Sequence, residues 1–382
     1  MKITSEPGLG QAMTFELSKK KPFHGWFWYK EGYAPEIVEY AFQKEGTPKD
    51  SLVVDSFCGV GTTLLAAKEA GLRSFGVDSS PLAVFVSKTK TDDYSSEDIE
   101  RVKEFLANAF KGRQEARVQW EFELFSPRAA FPKRHYNDIL YLREKIEQEE
   151  GKVRDLLLLA LLSIIPQSSI IVKDGGVLKI DKRKRAVPVK DAFKRKVKRI
   201  ISDLSEPVVG PVPDVQLGDA RRVELEDESA DIIVTSPPYL NNIDYSKVYG
   251  LELSLLNMSK GEAEQTRKRS VRSFIGRRMD VDEMPPEVGD VGYKIPIVGT
   301  YFKDMESTMR EMFRVLKPGK SAYVIVSNSV IHQTHVLVDE VLAEIGERIG
   351  FSENQIIVGS ERIADVKPHK IKTRESIVLL RK

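Results

Sequence analysis

The sequence contains very little cysteine, and its histidines are few and scattered. Cys58 is the single cysteine among 382 residues, so no internal disulfide can form and a zinc site built on cysteines is excluded. The five histidines lack metal-ligand spacing, so we predict no metal centre. A thiol-poor chain fits a reducing compartment, and we predict a cytoplasmic protein.

The chain also lacks a long apolar run. The longest candidate, residues 156–166, is shorter than the roughly 20 residues that span a membrane and ends in proline, so it indicates a buried helix. The N-terminus has no apolar core typical of a signal peptide. With 41% hydrophobic and 30% charged residues, the composition is that of a globular protein without a membrane partner.

The formal net charge is only +2, but the charge is unevenly distributed. Residues 182–199 contain Asp191 as their only acid, and residues 267–278 contain no acid at all. Such runs can neutralise phosphates, although an isolated run is usually a solvated surface. Two runs in one chain favour contacts with a nucleic acid.

Strand and helix patterns alternate at both ends of the chain. The apolar segment SLVVDSF at 51–57 predicts a buried strand, residues 62–70 a helix closed by Gly71, and RSFGVD at 73–78 a second strand. The pattern resumes at Pro213, which predicts a parallel α/β sheet built from residues 1–91 and 207–382. Residues 92–206 interrupt it and are mostly helical, with a hairpin possible in KDGGVLKIDKRK.

The turn between the first strand and the first helix has the sequence DSFCGVGTT. Glycine accepts a positive φ and lets the main chain approach a ligand, and the following helix directs free N–H groups at it. Asp78 ends the next strand about 20 residues later, where an acid can bind ribose hydroxyls. A dinucleotide site has three glycines spaced GxGxxG, but here Thr62, Thr63 and Leu64 follow the second glycine, so the third glycine is missing. A cofactor without phosphates, such as S-adenosylmethionine, therefore fits better than NAD.

Four segments together resemble the amino-group DNA methyltransferases. DSFCGVGTT at 55–63 resembles their cofactor motif, with Ser56 where proline is commoner, and TSPPY at 235–239 resembles their catalytic motif. The form of that motif that begins with serine is typical of cytosine-N4 enzymes. Residues 23–41 are similar to the family's N-terminal motif, and residues 217–223 to the segment that places an acid near the adenine.

The resemblance implies a fold and two sets of site residues. The fold is a Rossmann-like class I methyltransferase sheet with helices on both faces and a mainly helical insertion. The implied cofactor-binding residues are Tyr29, Asp55, Phe57, Cys58, Gly59, Gly61, Thr62, Thr63, Asp78 and Asp219. The implied catalytic residues are Ser236, Pro237, Pro238 and Tyr239.

The chemistry of an exocyclic base amine suits the second motif. The nitrogen lone pair is delocalised into the ring, so the amine needs hydrogen-bond acceptors and alignment rather than a covalent adduct. Ser236 Oγ and the Pro237 carbonyl supply acceptors, since proline has no N–H. Tyr239 can stack on a flipped base. Methylation of a ring carbon needs a cysteine nucleophile, and Cys58 lies in the cofactor turn, which argues against a cytosine-C5 enzyme.

We therefore predict an enzyme that transfers a methyl group from S-adenosylmethionine to cytosine N4 in DNA, with a cognate restriction endonuclease as a possible partner. The alternatives are an RNA methyltransferase acting on cytidine N4 or guanosine N2, and a DNA adenine-N6 methyltransferase. A catalytically silent nucleic-acid-binding protein and a NAD oxidoreductase fit less well, because both motifs are intact and the third glycine is missing. Residues 92–206 and 257–300 are the candidate target-recognition segments.

Overall fold

The computed structural model describes residues 2–111, 120–121, 126–174, 177–241, 245–256, 270–273, 283–366 and 369–382. Eight strands form the central sheet: β1 (Lys2–Ser5), β2 (Leu52–Asp55), β3 (Arg73–Asp78), β6 (Asp214–Leu217), β7 (Ala230–Thr235), β8 (Leu316–Ser327), β11 (Glu353–Val366) and β12 (His369–Arg381). Two hairpins lie outside it, β4 (Ile171–Asp174) with β5 (Val177–Ile180) and β9 (Ser329–Ile331) with β10 (Thr334–Val336). The hairpin expected after the third helix of the insertion is thus confirmed.

The strands are ordered β1-β11-β12-β8-β7-β2-β3-β6 across the sheet. β12 is antiparallel to both of its neighbours, and the remaining pairs are parallel. From β2 the chain builds outward through β3 and β6, and it then returns to the other side of β2 to build β7 and β8. The carboxyl ends of β2 and β7 therefore meet at a topological switch point, where open α/β sheets bind ligands.

Helices cover both faces of the sheet, which confirms the expected Rossmann-like class. The described helices are α1 (Pro35–Glu45), α2 (Thr62–Glu69), α3 (Pro81–Thr91), α4 (Ser96–Asn108), α5 (Lys133–Ile146), α6 (Gly151–Ser168), α7 (Val189–Leu204), α8 (Tyr245–Val248), α9 (Gly250–Leu255), α10 (Gly289–Lys294), α11 (Pro296–Val315) and α12 (Val338–Ile349). Among these residues, no helix combines the length and apolar character that crossing a membrane requires.

Alternation along the strands decides which face each helix covers. Val53 of β2 and Ile232 of β7 pack with Ile37 of α1 on one face. Their neighbours Val54 and Ile233 pack on the other face, in a cluster that contains α11 and α12. Because successive strand residues point to opposite faces, a one-residue slip of β7 against β2 would exchange both clusters.

Between α3 and β6 the chain forms α4 to α7 and the small β4–β5 hairpin. α6 is the centre of this region, and its apolar side chains are buried together with Trp26 and Phe27 of the N-terminal segment. Pro166 lies inside the last turn of α6 and does not end the helix, which continues to Ser168. The division into a sheet domain, 1–91 and 207–382, and an insertion, 92–206, stays a prediction.

Some strands lie where the sequence patterns indicated none. The patterns indicated no strand within residues 1–34, but β1 adds a parallel edge strand beside β11. β11 and the first part of β12 were also not predicted. Residues 361–363, 370 and 372 of these strands are exposed, so burial does not impose an alternation of apolar and polar side chains on them.

Gly61 is a position where the turn requires glycine. It has a φ of 76°, and a Cβ added there would lie 2.3 Å from Ser87 Oγ. Gly46 has a φ of 57° with no atom within 4 Å of an added Cβ, so it serves as a matched control. Gly46→Ala should lower the free energy of unfolding by about 1–2 kcal/mol through backbone strain alone. Gly61→Ala should lower it more, because the clash adds to the strain; equal losses in urea denaturation would contradict this.

Candidate active site

A cavity of about 340 Å³ opens where β2 and β7 end. Its wall includes Ser56, Phe57, Cys58, Gly59 and Val60 of the glycine turn, Thr62 at the start of α2, and Ser236, Pro237, Pro238 and Tyr239 of the proline turn. Here "glycine turn" means residues 56–61 and "proline turn" means residues 236–239. Tyr29 and Asp78 also line the cavity. The structure therefore brings the two sequence motifs together at one site.

The buried carboxylate of Asp55 connects the two turns. Its Oδ1 accepts a hydrogen bond from Thr235 Oγ1 at 2.6 Å and one from the Phe57 N–H at 3.1 Å. Its Oδ2 accepts one from the Tyr33 hydroxyl at 3.1 Å. Burial raises the pKa of this carboxyl to about 6, against the effect of the hydrogen bonds from Thr235, Phe57 and Tyr33. Asp55 thus lies behind the cavity wall and fixes the last residue of β7 against the glycine turn.

Asp78 acts on the glycine turn from the opposite side. Its carboxylate accepts hydrogen bonds from the Gly59 N–H at 2.9 Å and from the Ser80 N–H at 2.8 Å. Burial raises the pKa of the Asp78 carboxyl, although these main-chain donors act in the opposite direction. Gly59 itself has a φ of 49°, as the sequence prediction of a glycine turn required. Asp78 therefore both faces the cavity and fixes the turn that forms its floor.

The Ser236 hydroxyl is oriented by the sheet. Its Oγ donates a hydrogen bond to the main-chain carbonyl of Ile325 in β8, at 3.1 Å. Because the single hydroxyl proton is used there, the lone pairs of Oγ remain available to accept hydrogen bonds. This arrangement suits a hydroxyl that binds an amine, and it would not suit one that donates to a carbonyl.

Tyr29 lies against the glycine turn and is itself held by a residue that the sequence did not indicate. An added Cβ at Gly59 would be 3.7 Å from its ring. Tyr29 stacks on Tyr249 with ring centroids 4.8 Å apart, and Lys173 Nζ lies 3.7 Å from the centroid of the Tyr249 ring. The Tyr249 hydroxyl bonds to Glu31 and accepts the Lys30 N–H at 3.2 Å. Through Lys173 the insertion therefore contacts Tyr249, a residue that lines the cavity.

Several of the expected cofactor residues lie outside the cavity wall. Thr63 Oγ1 bonds to the Val234 carbonyl at 3.2 Å and to Tyr33, so it ties α2 to β7, and Gly61 is covered by Ser87. The Asp219 carboxylate is paired with Arg221 at 2.7 Å, and its neighbour Ala220 lines the cavity instead. The ligand roles of all fourteen expected site residues stay predictions.

A short segment that the motifs did not identify closes another side of the cavity. Ser270, Val271 and Ser273 line it, and Ser270 Oγ lies 2.8 Å from Ser79 Oγ. Arg272, between them, forms two hydrogen bonds with the buried Asp304 of α11, at 2.8 and 2.9 Å. The rest of the basic run 267–278, and much of the candidate recognition segment 257–300, lies outside the described residues.

The basic run 182–199 is divided between structural and exposed cations. Lys196 Nζ donates to the Trp26 carbonyl at 2.8 Å, Arg199 to the Lys21 carbonyl at 3.0 Å, and Lys184 to the Pro166 carbonyl at 2.6 Å. Lys196 and Arg199 thus bind the insertion to the N-terminal segment, and Lys184 binds two parts of the insertion to each other. The exposed members are Lys182, Arg183, Arg185, Lys190, Arg195 and Lys198. Only the exposed set suits the expected phosphate contacts.

The raised pKa of Asp55 predicts a pH dependence of stability. A carboxyl whose pKa is higher in the folded protein stabilises it fully at a pH below the unfolded value, and that contribution is lost as the pH rises through the folded value. With values of 3.8 and about 6, the window is pH 4 to 6. The free energy of unfolding relative to Asp55→Asn should fall there by at most about 1.4 kcal/mol per pH unit and level off above pH 7. A difference that is constant with pH in chemical denaturation would contradict this.

Comparison with known proteins finds similarity to methyltransferases. No protein-family model matches it. It is 23% identical to the type II methyltransferase M.BsoBI from Geobacillus stearothermophilus, over 92% of this chain and 82% of that protein. It is 26% identical to the type II methyltransferase M.AvaI from Nostoc sp., over 91% of this chain and 82% of that protein. An S-adenosylmethionine-dependent methyltransferase structure from Methanosarcina mazei matches with a TM-score of 0.32 and 10% identity, over 90% of this chain and 96% of that one. The chain is thus similar to type II methyltransferases over more than nine-tenths of its length, in agreement with the resemblance of its motifs.

Proposed function

We propose that this chain is a DNA methyltransferase that transfers a methyl group from S-adenosylmethionine to the exocyclic N4 amine of cytosine. The observation that carries the proposal is the common wall that the glycine turn and the proline turn form around one cavity. The curated relatives are type II methyltransferases, which supports DNA as the substrate. The serine that begins the proline turn supports cytosine N4 as the target.

The methyl donor is S-adenosylmethionine, which supplies an activated methyl group on a sulfonium when it is bound. The cavity suits its parts. Tyr29, Phe57 and Val271 offer apolar surface, and Asp78 with Ser79 and Ser80 offers polar groups that suit a ribose. The cavity volume of about 340 Å³ lies in the range of small-ligand sites. Gly59 keeps the floor open, because a side chain there would face Tyr29.

The proline turn acts on the amine. Ser236 Oγ and the Pro237 carbonyl accept hydrogen bonds from the amino group, which draws the nitrogen towards tetrahedral geometry and localises its lone pair. The hydrogen bond from Ser236 to Ile325 keeps the hydroxyl in this acceptor orientation. Tyr239 stacks on the flipped base, and most of the rate enhancement comes from proximity and orientation.

Cys58 does not act as a nucleophile in this mechanism. Its thiol is buried in the glycine turn, and burial raises the pKa of the thiol well above its usual range. A thiol with a raised pKa stays protonated near neutral pH and attacks poorly. The chain therefore favours direct attack by the amine over a covalent adduct to a ring carbon. A cognate restriction endonuclease and target recognition by residues 92–206 stay predictions.

Ser236→Ala removes one acceptor for the amine and leaves the cofactor side of the cavity intact. Loss of one hydrogen bond that strengthens in the transition state should lower kcat by roughly 100-fold. The dissociation constant for S-adenosylmethionine, measured by isothermal titration, should stay unchanged. Ser205→Ala is the control, because Ser205 also donates to a main-chain carbonyl, at 2.7 Å, but lies at the exposed end of α7. Equal kcat values for Ser236→Ala and wild type would refute the role.

Mass spectrometry of nucleosides identifies the polymer, the base and the atom in one experiment. DNA and RNA are isolated from cells that lack other DNA methyltransferases and express the protein, and both are digested to nucleosides. We expect N4-methylcytosine in DNA. N6-methyladenine in its place would overturn the assignment of the base, and methylation confined to RNA would overturn DNA as the substrate.

A further inference from the structure

β11 and β12 continue beyond the sheet as a two-stranded ribbon. β12 pairs with β8 through residues 375–381, and β11 pairs with β1 through residues 355–358. Ser360 pairs with Glu375, which also pairs with β8. Beyond this point, within the described part of the chain, residues 361–366 of β11 pair only with residues 369–374 of β12. We name residues 360–374 the β11–β12 arm. Six residues of strand beyond Glu375 correspond to roughly 20 Å.

The base of the arm is firmly anchored. Arg374 forms hydrogen bonds to both carboxylate oxygens of the buried Asp339, at 2.7 and 3.1 Å, and to Glu340 at 2.7 Å. The buried Glu375 accepts hydrogen bonds from Ser360 at 3.0 Å and from Arg362 at 2.8 Å. A register shift between Val358 and Ser360 bends β11 at the same place. The direction of the arm is therefore set by the sheet and α12.

The arm leaves the sheet beside the candidate active site. Glu375 pairs with Ser327 at the carboxyl end of β8, and Val324 of β8 pairs with Thr235, the residue before the proline turn. Arg362 and Glu375 both line the cavity. The arm thus extends outward from the mouth of the cavity and not from the opposite edge of the sheet.

The surface of the arm is basic, with an exposed apolar residue. Its described residues, 360–366 and 369–374, contain four Lys or Arg and two Asp or Glu. Lys370 is exposed, and Lys372 pairs with Glu361 at 2.7 Å while 67% of its side chain remains accessible. Ile363, which lies opposite Lys372 in the register, is 68% exposed. A two-stranded ribbon is only marginally stable by itself in water, so such a surface fits a partner that covers it.

We propose that the β11–β12 arm contacts the DNA duplex and holds it across the mouth of the cavity. Lys370 and Lys372 bind phosphates, and Ile363 packs on apolar groups of the groove. A two-stranded ribbon fits the major groove, and lysines that neutralise phosphates explain the charge of the arm. This inference rests on the proposed function, because it takes DNA as the substrate.

The test compares two double variants that each lose two exposed cations. Lys370→Gln with Lys372→Gln changes the arm. Lys103→Gln with Arg310→Gln is the control, because both of these exposed side chains also pair with a glutamate, Glu100 and Glu306, but lie on α4 and α11. KM for unmethylated genomic DNA, KM for S-adenosylmethionine and the salt dependence of duplex binding are measured for wild type and both variants.

The arm variant should raise the KM for DNA about 10-fold or more at 150 mM salt, with the KM for S-adenosylmethionine unchanged. The plot of the logarithm of the association constant for duplex DNA against log salt should become less steep by about 1.8, which corresponds to two phosphate contacts. The control should match wild type. A DNA KM and salt slope in the arm variant equal to those of wild type would overturn the inference, while methylation of DNA by wild type would leave the proposed function standing.

Ile363→Ser tests the apolar contact without changing charge. It should raise the KM for DNA and leave the salt slope at the wild-type value, and sedimentation should give the same mass as wild type. A change in mass would overturn the inference, because the arm would then be an interface between two copies of the chain. If wild type methylates only RNA, the proposed function fails, and salt-dependent binding of a plain DNA duplex still decides whether the arm contacts DNA.

Discussion

The hydrogen bond between Thr235 and the buried Asp55 carboxylate is the interaction on which the site depends. It joins the end of β7 to the end of β2, and the same carboxylate also accepts the Phe57 N–H of the glycine turn. Hydrogen bonds to a charged group contribute about 1.5–3 kcal/mol each, which offsets part of the cost of burying the carboxylate. Its pKa is still raised to about 6, because burial outweighs them. Without this connection the two turns would follow neighbouring strands but would have no fixed separation.

The strand order explains why these two turns can meet. β2 and β7 are separated by more than 170 residues, but they pair directly because the chain reverses its direction of winding at β2. The insertion lies between them in sequence and packs to one side, where α6 forms its own core with the N-terminal aromatics. A long insertion therefore leaves the geometry of the switch point unchanged.

The sequence could predict those residues whose conformation or position follows from their neighbours in the chain. Gly59 and Gly61 have the positive φ that a tight turn after a strand requires. Asp78 could be predicted as a site residue because it lies at the end of the next strand. The proline turn follows β7 directly, as expected. In each case the neighbouring residues in the chain contain the information.

The residues that the sequence could not predict act through distant contacts. Tyr249 stacks on Tyr29 across 220 positions, and Arg272 is fixed by Asp304 on a helix that has no motif of its own. Asp55 was expected to bind the cofactor, but the structure places it behind the wall, where it acts on Thr235. A strand-end acid looks the same in sequence whether it faces a ligand or a neighbouring strand.

The role of the residues in a basic run also depends on distant contacts, which the sequence does not show. Lys196 and Arg199 belong to the most basic stretch of the chain, but they donate to main-chain carbonyls inside the protein. The β11–β12 arm is less basic in sequence, but its Lys370 and Lys372 are exposed. Burial and position decide whether a lysine is available to a phosphate, and neither can be read from composition.

A crystal structure with an S-adenosylmethionine analogue that carries an amine in place of the sulfonium methyl would show whether the two turns face one reaction centre. We expect this amine to lie between Gly59 and Ser236 and to face the proline turn, with room for a base nitrogen about 3–3.5 Å away. An analogue bound elsewhere, or with its amine directed away from Ser236, would contradict the proposed role of the two turns.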